Sequence, residues 1–171
     1  MIRLKLVERF TPGLLETHKA FSFINFASIG SLLEQAEGSD VSYFCDGMLL
    51  SAFMSRITGQ PVERVSFDFT SIADPVLRSA EQRGRRVYFV GARQVELDLF
   101  LLKIRSLYPR LKIAGFHNGY FDTAQAQRIH ADIRDSATDI LITGLGAGLQ
   151  EQFVEEALSQ GFGGVAFTCG G

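Results

Sequence analysis

From residue 20 onward the chain alternates short, β-rich apolar runs with stretches whose apolar residues recur at helical spacing, and few architectures accept that alternation. The runs are FSFIN (21–25), VSYFC (41–45), RVSFD (64–68), RVYFV (86–90), LKIAG (111–115), DILIT (139–143) and GVAFT (164–168). Most are apolar at successive positions, the pattern of strands covered on both faces. In 93–108, Leu97, Phe100, Leu101, Ile104, Leu107 and Tyr108 recur at i, i+3, i+4 and i+7, and Pro109 stops the pattern. In SIADPVLRSAEQRG, Asp74 is placed to cap a helix and Pro75 to open it, with the end near Gly84. TAQAQRIHADIRD and LQEQFVEEALSQG are the other clear helices, the second closing at Gly161. Repeated βα units of this spacing predict an α/β fold: a Rossmann-like, mostly parallel sheet with helices on both faces. Residues 1–20 are expected to add a small β element at one edge. No linker or repeat interrupts the 171 residues, so one domain over 1–171 is expected.

Composition narrows the function classes. The net charge is −2 with no basic block, which gives nucleic-acid phosphates nothing to bind. Cys45, Cys169 and the three histidines lack metal-ligand spacing, so neither a disulfide framework nor a metal site is expected, and a reducing cytoplasm is the default. Charges spread through MIRLKLVERF argue against a signal peptide, and no uninterrupted run of ~20 apolar residues exists to span a bilayer. Membrane contact would then be peripheral. Fifteen phenylalanines and no tryptophan read as a choice of core packing.

Ligands of open parallel sheets sit beyond the carboxyl ends of the strands. That rule selects Asn25, Asp46 and Gly47, Asp68, Gly91, the 116–121 loop and 144–151. Asp46, in VSYFCDGMLLSAF, is a lone carboxylate in an apolar run. It either caps a helix over 48–58 or serves as a general base at a strand end. Gly91, in FVGARQ, lets backbone approach a phosphate at a helix N-terminus, or simply makes a tight turn. ITGLGAGLQEQF places Gly144, Gly146 and Gly148 before a helix whose first turn carries Gln150 and Glu151, and Glu151 also suits the helix dipole. The acidic ribose-binding residue of a dinucleotide fold, due ~20 residues later, is missing, which disfavours a nicotinamide cofactor. GFHNGYFD, with Tyr120, is equally suited to a sugar site and to a turn over core aromatics. His117 is a weaker base candidate, His18 and His130 read as surface residues, and Cys45 as a core thiol without a base.

Together these segments resemble the WecG/TagA/CpsF family of bacterial glycosyltransferases (glycosyltransferase family 26), in the family's order from about residue 21 to 171. CDGMLL matches its D-G pair, and ERVSFDF its arginine and the aspartate of G-x-D. The stretch RVYFVGARQVELDLFLLKIRSLYPRLKIAGFHNGYF matches its longest signature, and DILITGLGAGLQEQF its closing G-L-G-x-P-x-Q-E. The resemblance implies inverting transfer of a sugar, of N-acetylmannosamine or uronic-acid type, from a UDP-sugar to a polyprenyl-diphosphate-linked acceptor. Cell-surface polysaccharide would be the product class, with no cofactor and no metal. It implies Asp46 as catalytic base, Asn25 as the asparagine of T-x-N, Arg64 near the diphosphate, and Gln150 as the glutamine of Q-E. The chain departs from the pattern at Phe23 (threonine in T-x-N), Ser66 (glycine in G-x-D) and Gly148-Leu149 (before Q-E). Members continue past the closing G-G into an arginine-rich tail that helps dock them on the membrane, and this chain is expected to lack it. The location implied is the inner face of the cytoplasmic membrane, with a homo-oligomer compatible. The alternative is a nucleotide-sugar-binding module of the same fold with weakened or lost catalysis.

Overall fold

The computed structural model describes residues 4–30, 32 and 38–169. Its strands are β1 (Lys5–Leu6), β2 (Ala20–Ile24), β3 (Ser42–Cys45), β4 (Arg86–Gly91), β5 (Lys112–His117), β6 (Ile140–Gly144) and β7 (Val165–Thr168). They form one sheet in the order β1-β3-β2-β7-β6-β4-β5, and every pairing is parallel. The helices are α1 (Met48–Thr58), α2 (Ala73–Arg83), α3 (Gln94–Leu107), α4 (Thr123–Asp135) and α5 (Leu149–Ser159). The α/β reading therefore holds, and the edge element of the first twenty residues is β1, followed by a 3-10 turn at Pro12–Glu16.

Two apolar layers flank the sheet. One buries Val76, Leu77 and Ala80 of α2 and Leu97, Leu101 and Ile104 of α3. The other buries Leu50 of α1, Ile129 and Ile133 of α4, and Phe153, Val154 and Ala157 of α5. β2, β3, β6 and β7 are buried at nearly every position because helices cover both faces. The phenylalanines pave the first layer across adjacent strands: Phe21 lies 5.5 Å from both Phe44 and Phe167, and Phe23 lies 5.5 Å from Phe44.

Three expectations need correction. RVSFD is not a strand; only a single bridge joins Arg64 to Cys45. The Asp68 carboxylate accepts from the Thr70 amide and hydroxyl, and that local turn ends the extended run before it can pair further. Asp74 does not cap α2, which opens two residues earlier than expected, with Ile72 in the capping position and Pro75 inside the first turn. Asp74 instead pairs with Arg78 at 2.8 Å and accepts from the Tyr108 hydroxyl at 2.6 Å.

His130 is buried, not a surface residue: it is 2% exposed and its ring lies 4.3 Å from that of Phe153. Nε2 sits 3.2 Å from the Phe153 carbonyl oxygen, and Nδ1 3.2 Å from the Gln160 amide nitrogen. These partners suit a neutral ring, with Nε2–H donating and Nδ1 accepting. Burial lowers the pKa of this imidazole. An unfolded chain takes up the proton near pH ~6.5, so the fold loses stability as pH falls below that value. We expect the thermal midpoint to drop between about pH 7.5 and about pH 5.5, with a shallower drop in His130→Gln. Equal slopes for both proteins would remove His130 from that dependence.

Candidate active site

The order of the strands fixes where a ligand enters. After β4 the chain moves outward to β5 through α3 on one face; after β6 it moves inward to β7 through α5 on the other. β4 and β6 are neighbours whose connections diverge, so the crevice at their carboxyl ends is the topological switch point of the sheet. A cavity of about 420 Å³ opens there, lined by Phe67, Phe89, Phe100, Gly91, Gly144 and Cys169 among others. Its walls are apolar, with Phe67, Phe89 and Phe100 among them, and Gly91 and Gly144 bring backbone to its lining, which suits a planar ring and whatever the ring carries.

The glycines are there for sterics. A Cβ on Gly91 would stand 2.5 Å from the Gly144 carbonyl oxygen, and Gly91 has φ +148°, where side chains are strained. Ala92 follows at φ +61°, an unusual conformation for a residue with a Cβ. The Gly119 amide donates to the Ala92 carbonyl at 2.8 Å, and Asn118 donates to Gln94 at 3.1 Å. The β4–α3 turn and the 118–120 loop are thus tied together, and the neighbouring Tyr120 raises the pKa of Arg93. An arginine at the N-cap of α3 works against the helix dipole, so helix stability does not explain it. Next to Ala92 of the cavity wall, Arg93 is a cation that sequence reasoning passed over, although it stands in FVGARQ two residues after Gly91.

The acidic cluster lies on the other half of the sheet, at the ends of β2 and β3. The Asp46 amide donates to the Ile24 carbonyl at 2.7 Å, which pins the aspartate where β3 leaves the sheet. Its side chain, 25% exposed, makes no cap on α1; that helix is opened by Gly47 at φ +139°. The capping role is therefore absent. Arg64 reaches Oδ1 of Asp46 at 3.3 Å and Oδ2 of Asp68 at 3.7 Å. Ser66 accepts from Arg64 at 3.2 Å and donates to Asp68 at 2.6 Å. The hydroxyls of Ser66 and Thr70 hold the Asp68 pKa below the usual carboxylate range. One guanidinium between two carboxylates leaves the cluster net negative, so Arg64 first of all orients Asp46 and Asp68.

Asn25 closes a turn beside this cluster. Its carboxamide oxygen accepts from the amides of Ala27 and Ser28, each at 2.9 Å. Phe23 is buried against Phe44 and 6.4 Å from Phe67, and so props the cavity wall. Gly146, at φ +85°, has open space around it, and Tyr120 is exposed.

Gln150 and Glu151 are 2% and 3% exposed and lie under the glycine loop, not in open space. The Glu151 carboxylate accepts from the Ser22 hydroxyl, from the Gly148 amide at 2.6 Å and from the Gln150 amide at 3.3 Å. Ser22 in turn accepts from Thr168 at 2.9 Å. This chain ties β7, β2 and α5 to the loop over 145–148. The side-chain carboxamide oxygen of Gln150 and the Thr143 hydroxyl are buried without a hydrogen-bond partner among the described residues. Cys169 donates to the Thr143 carbonyl at 3.1 Å, and its desolvated thiol is raised to about 11, which keeps it a neutral part of the cavity wall.

This edge, with its acid cluster on one half and its glycine-walled cavity on the other, has a counterpart in sequence. The model of the "Glycosyl transferase WecG/TagA/CpsF family" matches residues 22–171. The chain belongs to this family. Among curated WecG/TagA/CpsF-like relatives, a UDP-Gal:alpha-D-GlcNAc-diphosphoundecaprenol beta-1,4-galactosyltransferase of Shigella boydii is 30% identical over 151 residues, 88% of this chain. An N-acetylglucosaminyldiphosphoundecaprenol N-acetyl-beta-D-mannosaminyltransferase of Bacillus spizizenii is 30% identical over 122 residues, 65% of this chain. The aligned part is 64% of the first relative's length and 45% of the second's. Among the described residues no helix is long and apolar enough to cross a membrane.

Proposed function

We propose that this WecG/TagA/CpsF chain is the catalytic core of an inverting glycosyltransferase. It moves a hexose from a UDP-sugar to a saccharide on a polyprenyl diphosphate, in the making of a bacterial cell-surface polysaccharide. The observation that carries the reading is Asp46: a half-buried carboxylate held by Arg64 at the carboxyl edge of the sheet whose switch point opens the glycine-walled cavity. The two relatives differ in the sugar their names assign, galactose or N-acetylmannosamine, and share a GlcNAc-diphosphoundecaprenol acceptor. That favours the same acceptor class here. Galactose joins N-acetylmannosamine and the uronic acids as the donor sugar.

In this reading the uracil ring takes the aromatic part of the cavity, and backbone at Gly91 and Gly144 lets the diphosphate come close. Arg93 and the N-terminus of α3 supply the positive potential there, a role the paired Arg64 fills less well. Asp46 removes the proton from the acceptor hydroxyl as that oxygen bonds to the anomeric carbon. The bond from that carbon to the UDP oxygen breaks on the opposite side, so UDP leaves with the electron pair and the configuration inverts. Gln150 and Glu151 act by shaping the 145–148 loop.

The test is transfer from UDP-galactose and UDP-N-acetylmannosamine to a GlcNAc-diphosphate-lipid, with UDP titrated by calorimetry alongside. Transfer from either donor is expected. UDP binding without transfer from any UDP-hexose would favour the non-catalytic module, and the lack of both would end the reading.

A further inference from the structure

Helix α1 is built inside out. Its solvent side carries Met48, Leu49, Ala52, Phe53, Arg56 and Ile57. Met48 and Leu49 are each 77% exposed, Phe53 53% and Ile57 63%. Phe26 from the neighbouring turn, also exposed, lies 6.3 Å from the Phe53 ring and widens the apolar strip. The inner side holds Leu50 and Met54, which pack on the core, together with two serines whose hydroxyls are satisfied within the protein. Ser51 donates to the Met48 carbonyl at 3.0 Å; Ser55 donates to the Ser51 carbonyl at 2.8 Å and accepts from the Val62 amide at 2.8 Å. An ordinary surface helix turns its polar residues to water. Here two hydroxyls face the protein while four large hydrophobes, Met48, Leu49, Phe53 and Ile57, face out, over 11 residues or about 16 Å.

The strip starts two residues beyond Asp46, so whatever covers it lies beside the acid that would receive the acceptor hydroxyl. Its charge narrows the choice of cover. α1 has no carboxylate, and Arg56 is its only charged residue, with no ion pair among the described residues. A second copy of the same face would bring Arg56 no carboxylate; lipid phosphates would neutralise it. The strip lies along the outside of a helix and not in a groove, so it fits a plane of lipid better than a single prenyl chain.

We infer that the outer face of α1, with Phe26, docks on an anionic lipid bilayer and sets Asp46 at the height of a lipid-linked diphosphate sugar. This rests on the proposed lipid-linked acceptor. Apolar side chains sink into the acyl boundary while Arg56 stays among the phosphates.

The experiment is sedimentation of the chain with phosphatidylglycerol–phosphatidylethanolamine vesicles, set against the triple variant Leu49→Ser, Phe53→Ser, Ile57→Ser. Circular dichroism checks folding, and the single variant Phe53→Ser serves if the triple variant unfolds. The wild type is expected to bind, and the triple variant to partition at least roughly tenfold more weakly. A water-soluble, short-chain acceptor should be used equally well by both. No binding by the wild type, or equal binding by both, overturns the inference. So does a wild-type dimer that the substitutions dissociate without any vesicle binding, since a second copy would then own the face. Vesicle binding needs no turnover, so a failure of sugar transfer would count against the proposed reaction and leave this measurement readable.

Discussion

Asp46→Asn should lose sugar transfer by about 10²- to 10⁴-fold, the usual contribution of a positioned general base, while UDP binding stays within about threefold of wild type. The two quantities separate because Asp46 belongs to the acceptor side of the edge and the cavity to the other half. Asparagine keeps the shape and still offers an oxygen to Arg64, so the fold should notice little. The Asp46–Arg64 pair is 3.3 Å long and partly exposed, worth about 1 kcal/mol or less. Steady-state turnover, UDP calorimetry and denaturant unfolding on the same two proteins decide the matter. A variant with full turnover removes Asp46 from the chemistry. A variant that loses turnover together with several kcal/mol of stability makes Asp46 a structural residue.

Gly91→Ala should be a damaging single methyl group, because it combines a backbone clash with a positive φ. The new Cβ would lie 2.5 Å from the Gly144 carbonyl oxygen and 2.9 Å from the Gly144 nitrogen, both backbone atoms held in the sheet. It would also adopt φ +148° with a side chain. Overpacking and backbone strain each cost about 1–3 kcal/mol, so about 3 kcal/mol or more is expected, and the cavity lining would shift with it. UDP binding should fall at least about tenfold. Gly146→Ala is the comparison: φ +85° imposes strain, but nothing stands within 4 Å of its Cβ, so about 1 kcal/mol is expected. Unfolding midpoints and UDP titrations on both variants test the steric account, and equal losses would refute it.

Much of this was legible in the residues because burial on both faces writes itself as continuous apolar runs. Phe21–Ile24 and Ile140–Thr143 needed no context to read as strands. RVSFD looked the same yet did not extend the sheet, since its fate was set by Asp68 and Thr70 closing a turn, an interaction that local apolarity does not register. The burial of His130 had a signal: it shares a helical face with Ile129 and Ile133, and only its polarity argued for the surface. Asp46 and Arg64, 18 residues apart, meet because an isolated bridge sets Arg64 beside Cys45, a pairing that the spacing of the residues does not record. The outward face of α1 was not legible. MLLSAFMSRIT is apolar around most of its circumference, and which side faces the sheet depends on how Gly47 directs the chain out of β3.

The place of β7 has a consequence for how the molecule is made. Among the described strands it comes latest in sequence, yet it lies in the middle of the sheet and is the strand that joins β2 to β6. Until residues 165–168 have left the ribosome, β2 and β6 each present an open hydrogen-bonding edge, and the two halves of the site remain unconnected. β2 must hold its place for well over a hundred residues of synthesis before its partner Ala166–Phe167 arrives. Non-local pairing of this kind is slow and leaves edges open to other chains. Union of the two halves of the site and protection of both edges therefore depend on one pairing, that of Phe167 between Phe21 and Ile142.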